Sequence, residues 1–297
     1  MSLLITRQQD GQVTPDAQPD ESPLPPASAR SLLLTVLGEF GYPDQEPIWT
    51  TALIRVLGGL GVESHAARQA IARSSAAGWI DSERCGRAVR WRLTPVGRDI
   101  VEDGMRRTTE YLTQPAPWSG RWLVLLVSLP QQARTARKRL YGGLAWLRMG
   151  NPTAGVWLTP HVDTVDELRA LIARFELTEA AISFIGRTED VGMSNQQIVS
   201  RAWNLSELAG QYHALLDRYA DQRPAPGDEV LLRHLELRNL LQRFLRLDPQ
   251  LPEELLPNWI GRDAARLLRT RHEQWSAPAR LRWDQLVRDC EPASSPA

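Results

Sequence analysis

The stretch Trp49–Gly97, WTTALIRVLGGLGVESHAARQAIARSSAAGWIDSERCGRAVRWRLTPVG, sets how the rest of the chain is read. Its order is helix, short turn, second helix, then a basic two-stranded hairpin ending in Leu93-Thr94-Pro95. That is the order of a winged helix-turn-helix, and it makes double-stranded DNA the leading partner, because a major groove admits one α-helix whose outer face carries side chains to base edges. Ser64 is placed to start the second helix, with its hydroxyl accepting from first-turn N–H groups, and Gly61 permits the sharp turn before it. Ala67, Ala70, Ile71, Ser74 and Ala77 fall at three- and four-residue intervals and form a small inner face. His65, Arg68, Gln69 and Arg73 occupy the outer face.

Gly78 reads as the terminator of that helix, and Trp79–Ile80 opens a strand that returns as Val89–Leu93 after a turn around Cys85-Gly86-Arg87. Arg84, Arg87 and Arg90 lie at the tip and flanks of this hairpin, where guanidinium groups reach phosphates or a minor groove. From Glu63 to Arg98 there are seven Arg against Glu63, Asp81 and Glu83, an excess of 7 − 3 = +4 in a chain of formal charge +0. The candidate DNA-binding residues are therefore Ser64, His65, Arg68, Gln69, Arg73, Arg84, Arg87 and Arg90. Each also has an ordinary reading as a solvated surface group, and Trp79 and Trp91 read as hairpin core. The weight rests on the order of the elements taken together.

With 297 residues and 42% hydrophobic content the chain exceeds one DNA-binding module. Residues 1–27, rich in Pro, Gln, Asp and Ser, read as a disordered tail whose Leu3-Leu4-Ile5 is too short for a signal peptide or a membrane span. Two cysteines are too few for a disulfide framework, and a cytoplasmic setting with no membrane contact is expected. Ala29–Phe40 reads as the first helix of the winged unit and Val96–Leu112 as its last, giving a DNA-binding domain over 28–112.

Over 113–188, the strand Trp122–Ser128, helix Ala133–Trp146, strand Thr153–Leu158, helix Val165–Phe175 and strand Ala180–Gly186 alternate as in a small ferredoxin-like α+β unit. Over 189–297 the chain reads as helical, with helices expected at Ser206–Tyr219, Glu229–Leu247, Asp263–Trp275 and Ala279–Asp289. The Pro-rich loop Leu247–Gly261 interrupts them. The fold class is α+β in three domains.

Taken together, these residues resemble the PaaX family of transcriptional repressors from about Ala29 to Asp289. The resemblance is carried by the winged segment, by Arg137-Lys138-Arg139-Leu140, by Gly155-Val-Trp-Leu-Thr-Pro160, by Arg201-Ala-Trp-Asn-Leu205, and by Leu247-Asp-Pro249 with Leu255-Leu-Pro-Asn-Trp-Ile-Gly261. It implies a cytoplasmic homodimer that represses an aromatic-acid catabolic promoter and is released by an acyl-CoA effector, phenylacetyl-CoA in the best-known members. The effector-binding residues are left unassigned, and no cofactor or metal is expected. Two rival readings stay open: a constitutive DNA-binding scaffold without ligand, and a metal-dependent nuclease built on the central unit. The nuclease needs carboxylates beside the first strand, and Trp118–Gln132 contains none.

Overall fold

In the computed structural model, residues 27–42, 46–113, 117–128, 134–189 and 191–292 are described. The expected tail, apart from Ala27, lies outside them. The fold is mixed α+β, with two small antiparallel sheets.

Helix α1 (Ala29–Phe40) starts where the Ser28 hydroxyl accepts from the Ser31 N–H at 3.1 Å, and it buries Leu32, Leu33, Val36, Leu37 and Phe40 at helical spacing. A short β1 (Ile48–Trp49) leads into α2 (Thr50–Gly59) and α3 (Ser64–Ala76). Strands β2 (Ile80–Cys85) and β3 (Ala88–Leu93) pair through a Gly86–Arg87 turn, and β1 adds to β3, giving the order β1-β3-β2. Helix α4 (Pro95–Leu112) opens on proline, with the Thr94 hydroxyl capping Gly97 N–H at 3.0 Å.

The next sheet comprises β4 (Trp122–Val127), β5 (Gly150–Thr153), β6 (Val156–Thr159) and β7 (Ala181–Gly186), ordered β5-β6-β4-β7. Helices α5 (Arg134–Trp146) and α6 (Val165–Arg174) cover the face that carries Leu123, Leu125, Val127 and Trp157. The opposite face packs Trp122 and Leu158 against Ile198 and Val199 of α7 (Asn195–Ala202) and against Leu251 and Leu255. Then come α8 (Leu205–Tyr219), α9 (Asp228–Leu247) and α10 (Ile260–Asp289).

Two expectations are corrected, and one helix lies where none was delimited. The single strand Thr153–Leu158 is the hairpin β5–β6, turned by Gly155 at φ +77°, a left-handed conformation that glycine adopts without penalty. Helices Asp263–Trp275 and Ala279–Asp289 are one thirty-residue helix running through Pro278. Helix α7 had not been anticipated, although Ser194 and Gln197 cap each other across its first turn in a capping box.

The cores do not follow the chain order. Leu231 and Leu235 of α9, with Ala279, Trp283 and Leu286 of α10, bury into the same cluster as α1, α2 and α3, and Trp283 stacks on Phe40 at 4.6 Å. The Pro-rich loop Leu247–Gly261 is structural. Its Asp248 carboxylate, 4% exposed, accepts from Tyr212 O–H at 2.5 Å, Trp259 Nε1–H at 3.1 Å and Gln250 N–H at 2.7 Å. Because the Tyr212 proton is spent on Asp248, Tyr111 must donate to the Tyr212 oxygen across their 2.8 Å contact. One buried carboxylate thus ties the end of α4 to α8 and the loop.

Candidate nucleic-acid interface

Helix α3 is set by Gly61 at φ +81° before it and by Gly78 at φ +71° after it. Ala67, Ala70, Ile71 and Ser74 are buried as expected. His65, Arg68, Gln69 and Arg73 are exposed together on the outer face. Small inner residues let α3 lie close on α1 and α2, and Ala67 and Ala70 are both fully buried. Ala77 departs from the expected inner face: the helix ends at Ala76, and Ala77 is its exposed C-cap. Ser64 also differs, because Glu63 is the N-cap and no side chain caps the first turn. Ser64 is instead the exposed first helical residue, with free first-turn N–H groups beside it.

Two outer-face side chains meet each other and a third bonds the helix backbone. Gln69 Nε2 approaches His65 Nε2 at 3.3 Å, so the Gln69 amide donates to the imidazole, and Arg73 Nε–H donates to Gln69 O at 3.3 Å. Arg68 is exposed.

On the hairpin, Arg84 and Arg87 are exposed, Arg87 lying in the two-residue turn. Arg90 is held differently from the other two. It faces Glu83 directly across the strands and forms a two-point ion pair with it, Nε at 3.1 Å and a terminal nitrogen at 2.8 Å. Such a bidentate pair fixes the guanidinium plane, so Arg90 is oriented and partly neutralised, unlike Arg84 and Arg87. The hairpin is anchored to α2 by Trp91 Nε1–H donating to Thr50 Oγ1 at 2.9 Å, whose own proton goes to Val89 O at 2.8 Å. Thr50 and Trp91 position the hairpin. Neither had been singled out for this, since the link joins residues forty-one positions apart.

A second feature had no signal in the sequence. A cleft of about 570 Å³ opens between α1, α4 and α9 and is lined by Arg30, Trp79, Met105, Trp146, Arg238 and Arg246 among others. The Arg30 guanidinium lies over the Trp79 ring at 3.6 Å. The volume is that of a small-molecule site.

The family model described as PaaX-like protein matches residues 28–97, that described as PaaX protein central Cas2-like domain matches 115–199, and that described as PaaX-like protein C-terminal domain matches 203–285. The chain belongs to the PaaX family. It is similar to the transcriptional repressor PaaX of Escherichia coli (strain K12), 27% identical over 261 residues that span 82% of this chain and 78% of that protein. Among solved structures it is similar to the uncharacterized protein Rv0674 from Mycobacterium tuberculosis, at 24% identity and a TM-score of 0.57, covering 87% of this chain and 98% of the other. That last likeness concerns the fold alone. Among the described residues no helix is long and apolar enough to cross a membrane.

Proposed function

We propose that this member of the PaaX family is a sequence-specific DNA-binding transcriptional repressor of an aromatic-acid, phenylacetate-type catabolic operon, released by an acyl-CoA effector. The observation that carries it is the outward set His65, Arg68, Gln69 and Arg73 on α3, followed directly by a hairpin whose tip presents Arg84 and Arg87. We read residues 28–112 as a winged helix-turn-helix with α3 as recognition helix. We read 113–188 as a ferredoxin-like unit, in keeping with its β-α-β-β-α-β order, and 189–297 as a helical unit. Arg68 and Gln69 face base edges, and Arg84 and Arg87 take phosphates or the minor groove. Arg90, paired to Glu83, shapes the hairpin more than it binds.

A homodimer fits an operator with two half-sites. Support for it comes from the edge strand β7: Ile182 and Phe184 are 66% and 51% exposed, and Ile182 pairs in register with Leu126, itself 37% exposed, so three apolar side chains stay exposed at the β7 edge of the sheet face whose other part packs on α7. For an acyl-CoA, phosphates call for Arg and the adenine and aryl groups for aromatic surface. The cleft between α1, α4 and α9 offers Arg30, Arg238 and Arg246 with Trp79 and Trp146. An effector seated there touches α1, one of the two helices on which α3 rests, and a coupling of roughly 1–3 kcal/mol changes DNA affinity about 5- to 150-fold.

The test is fluorescence-anisotropy binding to DNA from the protein's own upstream region, with and without phenylacetyl-CoA, over a salt series. Tight binding released by the thioester and not by free phenylacetate is expected. Arg68→Ala should lose discrimination between operator and random DNA, whereas Arg87→Ala should weaken both and lower the salt slope by about one. Parental behaviour of both variants would remove α3 and the hairpin as the recognition surface.

A further inference from the structure

Glu39 near the end of α1, His234 of α9 and His272 of α10 are distant in sequence, yet they converge so that one donor atom of each lies within 4.8 Å of the others. His234 is fully buried and Glu39 and His272 are half-buried. The Glu39 carboxylate accepts from His234 Nε2 at 2.7 Å through one oxygen and from Arg238 Nε–H at 2.7 Å through the other. The two imidazoles stack at 5.3 Å. The hydrogen bonds leave a remainder: Nδ1 of His234 and Nδ1 of His272 are both buried and without a partner. Two orphaned ring nitrogens in one cluster are unusual, because buried polar atoms in native folds almost always find a partner.

We propose that Glu39, His234 and His272 form a binding site for a first-row divalent transition-metal cation of the zinc type, joining α1 to α9 and α10. Two imidazole nitrogens and one carboxylate oxygen are borderline donors that suit such an ion and not the all-oxygen preference of calcium or magnesium. Metal–ligand bonds of about 2.0–2.2 Å require the donors to draw together from their present separation. Arg238 occupies the second Glu39 oxygen and orients the carboxylate, as outer partners of metal ligands do, and its positive charge also tempers affinity. Three protein donors leave a fourth position open, and Glu39 and Arg238 both line the cleft described above.

The experiment titrates chelator-stripped full-length protein with Co2+, read by visible absorption, and then with Zn2+ in competition, with thermal unfolding as a second readout and no DNA present. One saturable equivalent is expected, displaced by zinc and accompanied by a rise in unfolding temperature. His272→Gln should weaken binding by more than the roughly 10- to 100-fold that loss of an outer partner costs, with its far-UV and near-UV spectra unchanged. Replacing Cys85 and Cys290 together by Ser should leave the cobalt spectrum as it was. No stoichiometric binding by the parent, or equal binding by His272→Gln, would reduce the cluster to an ion-paired clamp and overturn the site. Since the readouts are independent of DNA, failure here leaves the repressor reading standing, and failure of that reading leaves the metal site standing.

Discussion

Asp248 is a carboxylate taken almost wholly out of water and repaid by three donors, so its side chain is irreplaceable by its own amide. In Asp248→Asn the amide NH2 must face either the Gln250 N–H or the Tyr212 and Trp259 donors. Leaving a buried donor unmatched should lower stability by about 1–3 kcal/mol, read as a shift of the urea midpoint at unchanged slope. His161 carries a pH dependence. Its ring contacts Pro249 O at 2.8 Å, and since a carbonyl only accepts, Nε2 bears the proton. Burial pushes its pKa down and the nearby Arg148 charge adds to this, against the pull of the Pro249 bond. A His depressed in the fold contributes stability above its unfolded pKa of about 6.5, and that stability is lost as pH falls below it. The urea midpoint of the parent should therefore drop below about pH 6.5 more steeply than that of His161→Gln, which keeps a donor but does not titrate. Equal slopes would exclude His161 as the source. At this scale the outer face of α3 was legible, because helical spacing separates Arg68 and Gln69 from Ala67 and Ala70 without any tertiary knowledge. Glu39, His234 and His272 were not legible: nothing local distinguishes a His on an amphipathic helix from a solvated one until the two other helices arrive.

The elements were legible in proportion to how far local chemistry agreed with tertiary packing. ARSLLLTVLGEF, with its capping Ser28, is a helix on every local count, and α1 spans it from end to end. Asn-Pro-Thr, by contrast, has no apolar alternation, and β5 exists because Gly150 lets the strand press on α7: a Cβ there would meet the Trp203 ring at 2.4 Å. Two glycines test this reasoning with opposite signs. A Cβ on Gly97 at the start of α4 would lie 2.0 Å from Trp79 O, a backbone atom that cannot yield without moving the hairpin. Gly97→Ala should cost at least about 1–3 kcal/mol and weaken DNA binding. Gly58 sits exposed in α2 with nothing within 4 Å of a Cβ, so Gly58→Ala should gain about 0.4–1 kcal/mol, chiefly by restricting the unfolded chain. Thermal melts of the two variants give the comparison directly.

At the scale of the whole molecule, the N-terminal helices do not own their core. Trp283 and Leu286 near the end of α10 fill it together with Leu231 and Leu235 of α9. Trp283→Ala should therefore cost about 3–5 kcal/mol. It should also impair DNA binding, although it lies about two hundred residues from α3 and away from any base contact. If anisotropy showed parental affinity in a variant with lowered unfolding temperature, the shared core would be irrelevant to the interface. The order of elements conveyed the α+β class, but not this interleaving, because apolar spacing says that a helix face is buried and not against which partner.

Helix α10 passes through two cores. Ala264, Leu268 and Trp275 belong to the core around Tyr212, while Ala279, Trp283 and Leu286 belong to the core around Phe40, and Pro278 falls between the two sets. A proline there withholds a backbone bond and crowds the carbonyl four residues earlier, worth roughly 3 kcal/mol in a helix interior. The rod is thus softest at the border between the two bodies it threads. The two halves of α10 can therefore turn against each other more readily at Pro278 than elsewhere, which makes α10 a torsional coupling whose compliance is written into a single imino acid.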